Sequence, residues 1–254
     1  MNAAERHQEI INILVQKGHV RVGELAKIFS VSTETIRKDL LELESKRLIK
    51  KNNGSAEILR ESSASAYARK SKRDVKEKQC IARLAAAMIP ENSVIFIDAG
   101  STNFQLASQL IMRKDIMVAT NFTPIVELMN ANDIRVISIG GEVRPVSGAA
   151  TGPFAHYCIS RINAEIAFVG SSGFLGTDGP CVENFPEAEV KQEMIKNAQR
   201  TYVLADHSKL HIRAIAKFAD WSEITGVIMD EHAAPEDIKE LQNKVDVLLA
   251  KKEG

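Results

Sequence analysis

Residues 20–44 read VRVGELAKIFSVSTETIRKDLLELE, and the spacing within them decides the front of the fold. Val22, Leu25, Ala26 and Phe29 recur at helical intervals. Ser30-Val31-Ser32 interrupts the run, and Ser32 suits an N-cap because its hydroxyl can accept a backbone N–H that the next helix leaves unpaired. A second helix follows, with Ile36, Leu40 and Leu43, and Leu41 beside them, on its inner face. The two together form a helix-turn-helix pattern. Toward the N-terminus, Ile10, Ile11, Leu14 and Val15 predict another helix, stopped by Gly18, and His19 to Arg21 a short extended link. Toward the C-terminus, Leu48-Ile49 and Ile58-Leu59 flank Lys50-Lys51-Asn52-Asn53-Gly54-Ser55, where Asn-Gly between apolar pieces predicts a hairpin.

The second helix carries Thr33, Glu34, Arg37 and Lys38 on its outer face, with Ser32 and Thr35 at its first turn. Arginine can bond a guanine edge through two parallel hydrogen bonds, and serine or threonine can serve bases or phosphates. The N-terminal turns of such a helix are the part that meets bases in the major groove. Lys50, Lys51 and Asn52 of the hairpin are placed to reach neighbouring phosphates, which fix register without reading sequence. The same pattern also fits a three-helix knob whose charged surface meets another protein.

The chain has 254 residues, 44% hydrophobic and 26% charged, which excludes a collagenous or largely disordered protein and suggests one or two domains. No apolar run approaches the roughly 18–20 residues of a membrane helix; even Ile81 to Ile89 contains Arg83. Glu5, Arg6, His7 and Glu9 read against a signal peptide, and three cysteines (Cys80, Cys158, Cys181) without short metal-type spacing read against a disulfide or zinc framework, so a cytoplasmic location is expected. Net charge is zero, but residues 1–78 hold 17 basic against 11 acidic side chains and the remainder the opposite excess of six. A basic head suggests a polyanionic partner; an uneven solvated surface is the other reading.

Residues 60–78, with four serines and a charged run from Arg69 to Lys78, read as a helical or partly mobile connector that can add to the positive head. Beyond it, β-type runs recur at Val94–Ile97, Ile116–Ala119, Val136–Ile139, Ile166–Val169, Tyr202–Ala205 and Val227–Met229. Helical segments are expected at Asn103–Ile111, Pro124–Asn130, Glu187–Gln199 and Pro235–Lys251. That alternation predicts an α/β domain with a mostly parallel sheet. The expected division is 1–59, a connector over 60–78, and 79–254.

Several of these strands run into polar residues: Asp98 followed by Gly100-Ser101-Thr102, then Asn121, Gly140-Gly141, Ser172 and Asp206 with Lys209. Ligands of open α/β sheets bind outside the carboxyl ends of strands, so the set carries more weight than any one member. Gly100-Ser101-Thr102 suits an anion, since a glycine admits close approach and the following helix offers free N–H groups; the same residues also suit a plain helix cap. Arg144 offers a second anion contact or a surface charge. Asp98 and Asp206 suit sugar hydroxyls or strand-end capping, and Lys209 a phosphate or solvent. Glu187 and Lys191, four apart, suit an ion pair along one helix. His156, His207 and His211 show no ligand spacing among themselves, so no metal and no cofactor is assigned.

Val22-Gly23-Glu24-Leu25-Ala26, Val31-Ser32 and Thr35-Ile36-Arg37-Lys38-Asp39-Leu40 resemble the winged helix-turn-helix of DeoR-type bacterial transcriptional regulators. Two positions depart from that pattern: Lys46-Arg47 stands where a glycine is usual, and Asn53-Gly54-Ser55 where His-Gly-Gly is usual. The resemblance continues through Asp98-Ala99-Gly100-Ser101-Thr102, Thr120-Asn121, Gly140-Gly141, Ala167-Phe168-Val169-Gly170, Glu187 with Lys191, and Ala205-Asp206-His207-Ser208-Lys209. It implies an effector domain similar to ribose-5-phosphate isomerase that binds a phosphorylated sugar or similar metabolite. It further implies a repressor of a carbohydrate operon acting on double-stranded operator DNA, as a homodimer or homotetramer. An isomerase-like enzyme with an appended helix-turn-helix is the rival. Against it, Gly170-Ser171-Ser172-Gly173 lacks the carboxylates of the isomerases' Asp-Gly-Ala-Asp turn, although Glu187 could supply a base.

Overall fold

The computed structural model describes residues 2–46, 48–52, 54–58 and 64–251. Arg47, Asn53 and residues 59–63, which the sequence places in the wing and the start of the connector, lie outside the described residues. The chain divides into two compact units, Met1–Ser65 and Ala66–Gly254.

In the first unit, α1 (Ala3–Lys17) opens on a capping box between Asn2 and Glu5 and closes at Gly18. Helices α2 (Val22–Phe29) and α3 (Thr33–Ser45) follow, separated by Ser30 in a left-handed turn. Ser32 caps α3, accepting the Thr35 N–H at 3.1 Å. The link over β1 (His19–Arg21) pairs antiparallel with β3 (Ser55–Ile58), which pairs in turn with β2 (Ile49–Asn52), so the wing is a three-stranded sheet. Ile10, Leu14, Val20, Leu25, Ile36, Leu40, Leu43 and Ile49 form its core. Leu41 departs from the expected inner face and is 53% exposed, because one residue past Leu40 turns about 100° around the helix axis. The inner face instead holds Asp39, whose carboxylate accepts from Arg6 Nε at 2.6 Å, Arg6 Nη2 at 2.9 Å and His7 Nε2 at 3.0 Å, tying α1 to α3.

The second unit is built on a seven-stranded, wholly parallel sheet in the order β14-β13-β11-β9-β4-β5-β6. Its strands are β4 (Val94–Ile97), β5 (Met117–Thr120), β6 (Arg135–Ser138), β9 (Ala164–Gly170), β11 (Ala198–Leu204), β13 (Gly226–Asp230) and β14 (Val247–Ala250). Successive side chains point to opposite faces. Ile95 and Ile97 therefore join a core with α5 (Val75–Ala87), α6 (Ser101–Gln109) and α7 (Thr123–Ala131), while Phe96 joins one with α8 (Pro153–Ile159), α9 (Phe185–Lys196) and α10 (Pro235–Gln242). Two small antiparallel pairs, β7 (Glu142–Val143) with β8 (Ala150–Thr151) and β10 (Cys181–Val182) with β12 (Ala216–Lys217), decorate it.

Three expectations change. The helix expected over 235–251 ends at Gln242, and Val247–Ala250 is the edge strand β14, paired with β13 from Val227↔Val247 onward. The helix expected to reach Gln199 stops at Lys196, since β11 begins at Ala198. From Ala66 the stretch read as a connector lies within the second unit, as α4 (Ala64–Lys72) and the first turn of α5.

The strand order also locates a crevice. From β4 the chain steps outward to β5 and β6, returns to β9 on the other side of β4, and steps outward again to β11, β13 and β14. The connections leaving β4 and β9 diverge, and the gap beyond their carboxyl ends is where doubly wound sheets hold ligands.

Candidate functional site

A cavity of about 480 Å³ opens in the second unit, lined by Gly100, Ser101, Thr102 and Asn103 after β4 and by Gly170, Ser171 and Ser172 at the end of β9. Gly100, at φ 146°, turns the chain into α6 in a conformation that other residues rarely adopt. The first turn of α6 thus faces the cavity with backbone N–H groups that have no partner within the helix, an arrangement suited to anions. Facing it are Glu183, Asn184, Glu187 and Lys191 around α9, Lys209, and, from α4, α5 and the bend between them, Tyr67, Arg69, Lys70, Arg73 and Lys78. Six cations against two carboxylates line the space.

Two buried ion pairs underlie this lining. Lys191 is paired with Asp98, which also accepts the Gly170 N–H at 3.2 Å; both side chains are almost wholly buried. Burial pushes the Asp98 carboxyl above its ordinary value, against the pull of Lys191 and of the Gly170 N–H. Asp206, fully buried, lies 3.6 Å from Lys78 Nζ and 3.9 Å from Lys209 Nζ, and accepts the Ser208 N–H at 3.1 Å. Burial opposes its ionisation, yet Lys209, Ser208 and Lys78 together hold it below the usual carboxylate range. Burial, with Lys78, Lys70 and Arg73 nearby, holds Lys209 below the usual lysine range although Asp206 pulls the other way. Asn103 donates to the Asp98 carbonyl at 2.9 Å, while its Oδ1 is buried without a hydrogen-bond partner.

Of the residues read from sequence, Gly100, Ser101, Thr102, Ser172, Glu187, Lys191 and Lys209 line the cavity. Asp98 and Asp206 stand behind it as counter-ions rather than in its wall. The Glu187–Lys191 pairing expected along α9 is replaced: Glu187 accepts from Ser147 Oγ at 2.6 Å and Asn184 Nδ2 at 3.0 Å. Asn121 is structural, accepting the Ala99 N–H at 3.0 Å and donating to the Ala150 carbonyl at 3.2 Å. Gly140 and Gly141 form a turn outside the lining; a Cβ on Gly141 would meet the Thr151 carbonyl oxygen at 2.4 Å, so close chain packing and not ligand approach accounts for it. Arg144 lies 3.8 Å from Glu187 and outside the lining.

Sequence reading missed Tyr67, Arg69, Lys70, Arg73, Lys78, Asn103 and Ser147. For Lys78 a signal existed: it falls between Val75 and Ala82 on the apolar stripe of α5, where an inward lysine needs a buried partner.

In the first unit, Ser32, Thr33, Glu34, Arg37 and Lys38 are exposed on α3 and Thr35 is half-buried. Thr35 Oγ1 is 2.9 Å from Ser32 Oγ, and Arg37 rests 3.4 Å from Glu34. Lys50 and Asn52 are exposed on the wing, whereas Lys51 is half-buried and its N–H donates to Glu44 at 2.9 Å. The arrangement leaves one face of α3 and one edge of the wing open to a groove.

Comparison with known proteins follows the same division. A DeoR-like helix-turn-helix domain matches residues 6–62, and a DeoR C terminal sensor domain matches residues 73–231. The chain is 32% identical to the glycerol-3-phosphate regulon repressor of Escherichia coli over 97% of both chains. It is 28% identical to the lactose phosphotransferase system repressor of Staphylococcus aureus, covering 98% of this chain and all of that one. Among solved structures, ribose 5 phosphate isomerase A from Neisseria gonorrhoeae aligns at 18% identity and a TM-score of 0.40, over 54% of this chain and 53% of that one. With both domain types matched in order and 32% identity to a named repressor over nearly the full length, the protein belongs to the DeoR family of transcriptional regulators.

Proposed function

We propose that this regulator is a repressor whose grip on operator DNA is released by a phosphorylated sugar or similar small phosphorylated metabolite in the cavity of the second unit. The observation that carries the reading is the cation-rich lining around the first turn of α6 at the sheet's switch point. A phosphate there meets free helix N–H groups and the Ser101 and Thr102 hydroxyls, with Lys78 and Lys209 already sharing one carboxylate. The unpartnered Asn103 Oδ1 supplies an acceptor for a ligand hydroxyl, and Glu183 and Glu187 two more. Relatives named for the glycerol-3-phosphate regulon and the lactose phosphotransferase system support the same ligand class.

A regulator fits this site better than a catalyst. Asp98 and Asp206 are each held by lysine, Glu187 by Ser147 and Asn184, and Glu183 by Lys70 Nζ at 2.9 Å, so among the described residues each carboxylate at the cavity is already engaged rather than poised as a base. No described helix is long and apolar enough to cross a membrane, and the reading places the protein with DNA in the cytoplasm. Self-association follows from paired half-sites. Phe154 and Tyr157 on α8, 79% and 64% exposed, and Phe185 at 63% offer apolar surface for it. Sedimentation is expected to show dimers or tetramers.

The test is fluorescence anisotropy of a labelled duplex from the gene's own upstream region, titrated with the full chain. One member of a panel of sugar and polyol phosphates is expected to weaken binding by about tenfold or more, with its unphosphorylated counterpart inert. If none of the panel alters either duplex affinity or thermal melting, the reading fails.

A further inference from the structure

Outside the cavity, the ends of β11 and β13 bring together three side chains that the function above does not use. Asp230 closes β13 with its side chain only 3% exposed. The backbone fixes its carboxylate: the His207 N–H donates to Oδ2 at 2.8 Å and the His232 N–H to Oδ1 at 3.0 Å. Both imidazoles then turn Nδ1 toward that same Oδ1, His207 at 2.9 Å and His232 at 3.1 Å, with the two ring centres 5.9 Å apart. The three donor atoms lie within 4.8 Å of one another. From α5, Glu77 brings Oε1 to 3.8 Å from His232 Nδ1.

Held by hydrogen bonds alone, one carboxylate oxygen would receive two imidazole protons and a backbone N–H, and both rings would have to keep their protons on Nδ1. A divalent ion replaces the two ring protons and binds the nitrogen lone pairs and the oxygen together. Two imidazoles with carboxylate oxygens suit zinc and its first-row neighbours; magnesium and calcium favour oxygen alone. Bonds of about 2.0–2.2 Å to a tetrahedral zinc put ligand atoms roughly 3.3–3.5 Å apart, so the two nitrogen–oxygen distances of 2.9 and 3.1 Å need to open by only a few tenths of an ångström. The backbone N–H bonds to Asp230 are the outer support that metal ligands require.

We propose that His207, Asp230 and His232 form a divalent transition-metal site, best matched to Zn²⁺, with Glu77 or water as the fourth ligand. The histidines are 25 residues apart, which is why spacing among His156, His207 and His211 gave no sign of it. The site stands apart from the phosphate reading. Its link to the cavity is the turn His207–Lys209, so a bound ion would fix the turn that carries Lys209.

The experiment uses the full chain, free of any affinity tag and stripped by chelator, titrated with Zn²⁺ against a chromophoric competitor. One Zn²⁺ per chain is expected, with affinity reduced tenfold or more in His232→Ala, a position 43% exposed in the side chain. Zinc held elsewhere, at a cysteine or beside His7, would leave that variant's affinity unchanged, and this overturns the proposal, as does the absence of zinc binding by the unaltered chain. Co²⁺ loading reads coordination without any substitution: visible absorption lost on one equivalent of Zn²⁺ supports the site, and no such absorption overturns it.

Discussion

Lys191 shows what a single residue in this molecule holds in balance. Its ammonium and the Asp98 carboxylate are both almost out of reach of water, so removing one leaves a charge with no partner and little solvation. Breaking such a pair costs about 3–5 kcal/mol. Lys191→Met is therefore expected to lower stability by that order in urea unfolding followed by Trp221, a buried reporter in the same unit. Adding Asp98→Asn should recover part of the loss, because the uncompensated charge disappears; a loss well under 1 kcal/mol in the single variant would argue that water reaches the pair. Lys209 carries a consequence for pH. Burial and neighbouring cations hold it below the usual lysine range, and a bound phosphate dianion would raise it again. Ligand affinity should then be full below the lowered value and fall as pH rises through it. Calorimetric titrations at increasing alkaline pH check the sign, and an affinity that rises with pH would place the phosphate away from Lys209.

At the scale of elements, α3 is held to α1 by the buried contact of Asp39 with Arg6 and His7. Burial opposes ionisation of Asp39, but the hydrogen bonds from Arg6 and His7 and the Arg6 charge hold its carboxyl below the ordinary value. A depressed carboxylate contributes stability that is present above its unfolded value, near 4, and is lost as pH falls through the folded one. Amide exchange in α1 and α3, corrected for intrinsic rates, should therefore stay flat down to about pH 4 and rise as pH falls below it. In Asp39→Asn it should start higher and respond less; equal acid responses would assign the effect elsewhere. The elements themselves were readable where period and caps agree. Ser32 before an apolar period of Ile36, Leu40 and Leu43 marks α3 with little ambiguity, and the buried runs around Phe96 and Phe168 mark central strands. Val247–Ala250 was not readable, since four apolar-rich residues after a helix extend its pattern as well as they begin a strand, and only the open edge of β13 selects between them. Asp39 shows the same limit. Its burial depends on Arg6, 33 residues away, and no local pattern reports that distance.

For the molecule as a whole, the distribution of charge changes meaning once the units are known. The excess of six positive charges over residues 1–78 suggested a basic head, but residues 66–78 hold six basic and two acidic side chains and lie in the second unit. Only a small excess, 11 basic against nine acidic, remains in residues 1–65. The rim of polar strand ends was legible because strand ends follow from sequence order, whereas the far wall of the cavity was not, because it comes from helices that read as a connector. On the proposed reading, DNA affinity rests on placed side chains such as Arg37 and Lys50 more than on bulk charge. Arg37→Ala should cost about 1–3 kcal/mol at the operator and less on unrelated duplex, while Lys50→Ala should weaken all duplexes alike and flatten the salt dependence by about one. The basic run makes the opposite claim. Lys70 and Arg73 face the cavity with their side chains 49% and 65% exposed, so replacing both with alanine should leave the fold intact. The double variant should then need about tenfold more phosphorylated ligand to leave the operator, with ligand-free operator affinity changed less than about threefold. If operator affinity falls instead and the ligand response persists, the run from Arg69 to Lys78 serves the DNA after all, and the cavity must hold its anion by α6, Lys191 and Lys209 alone.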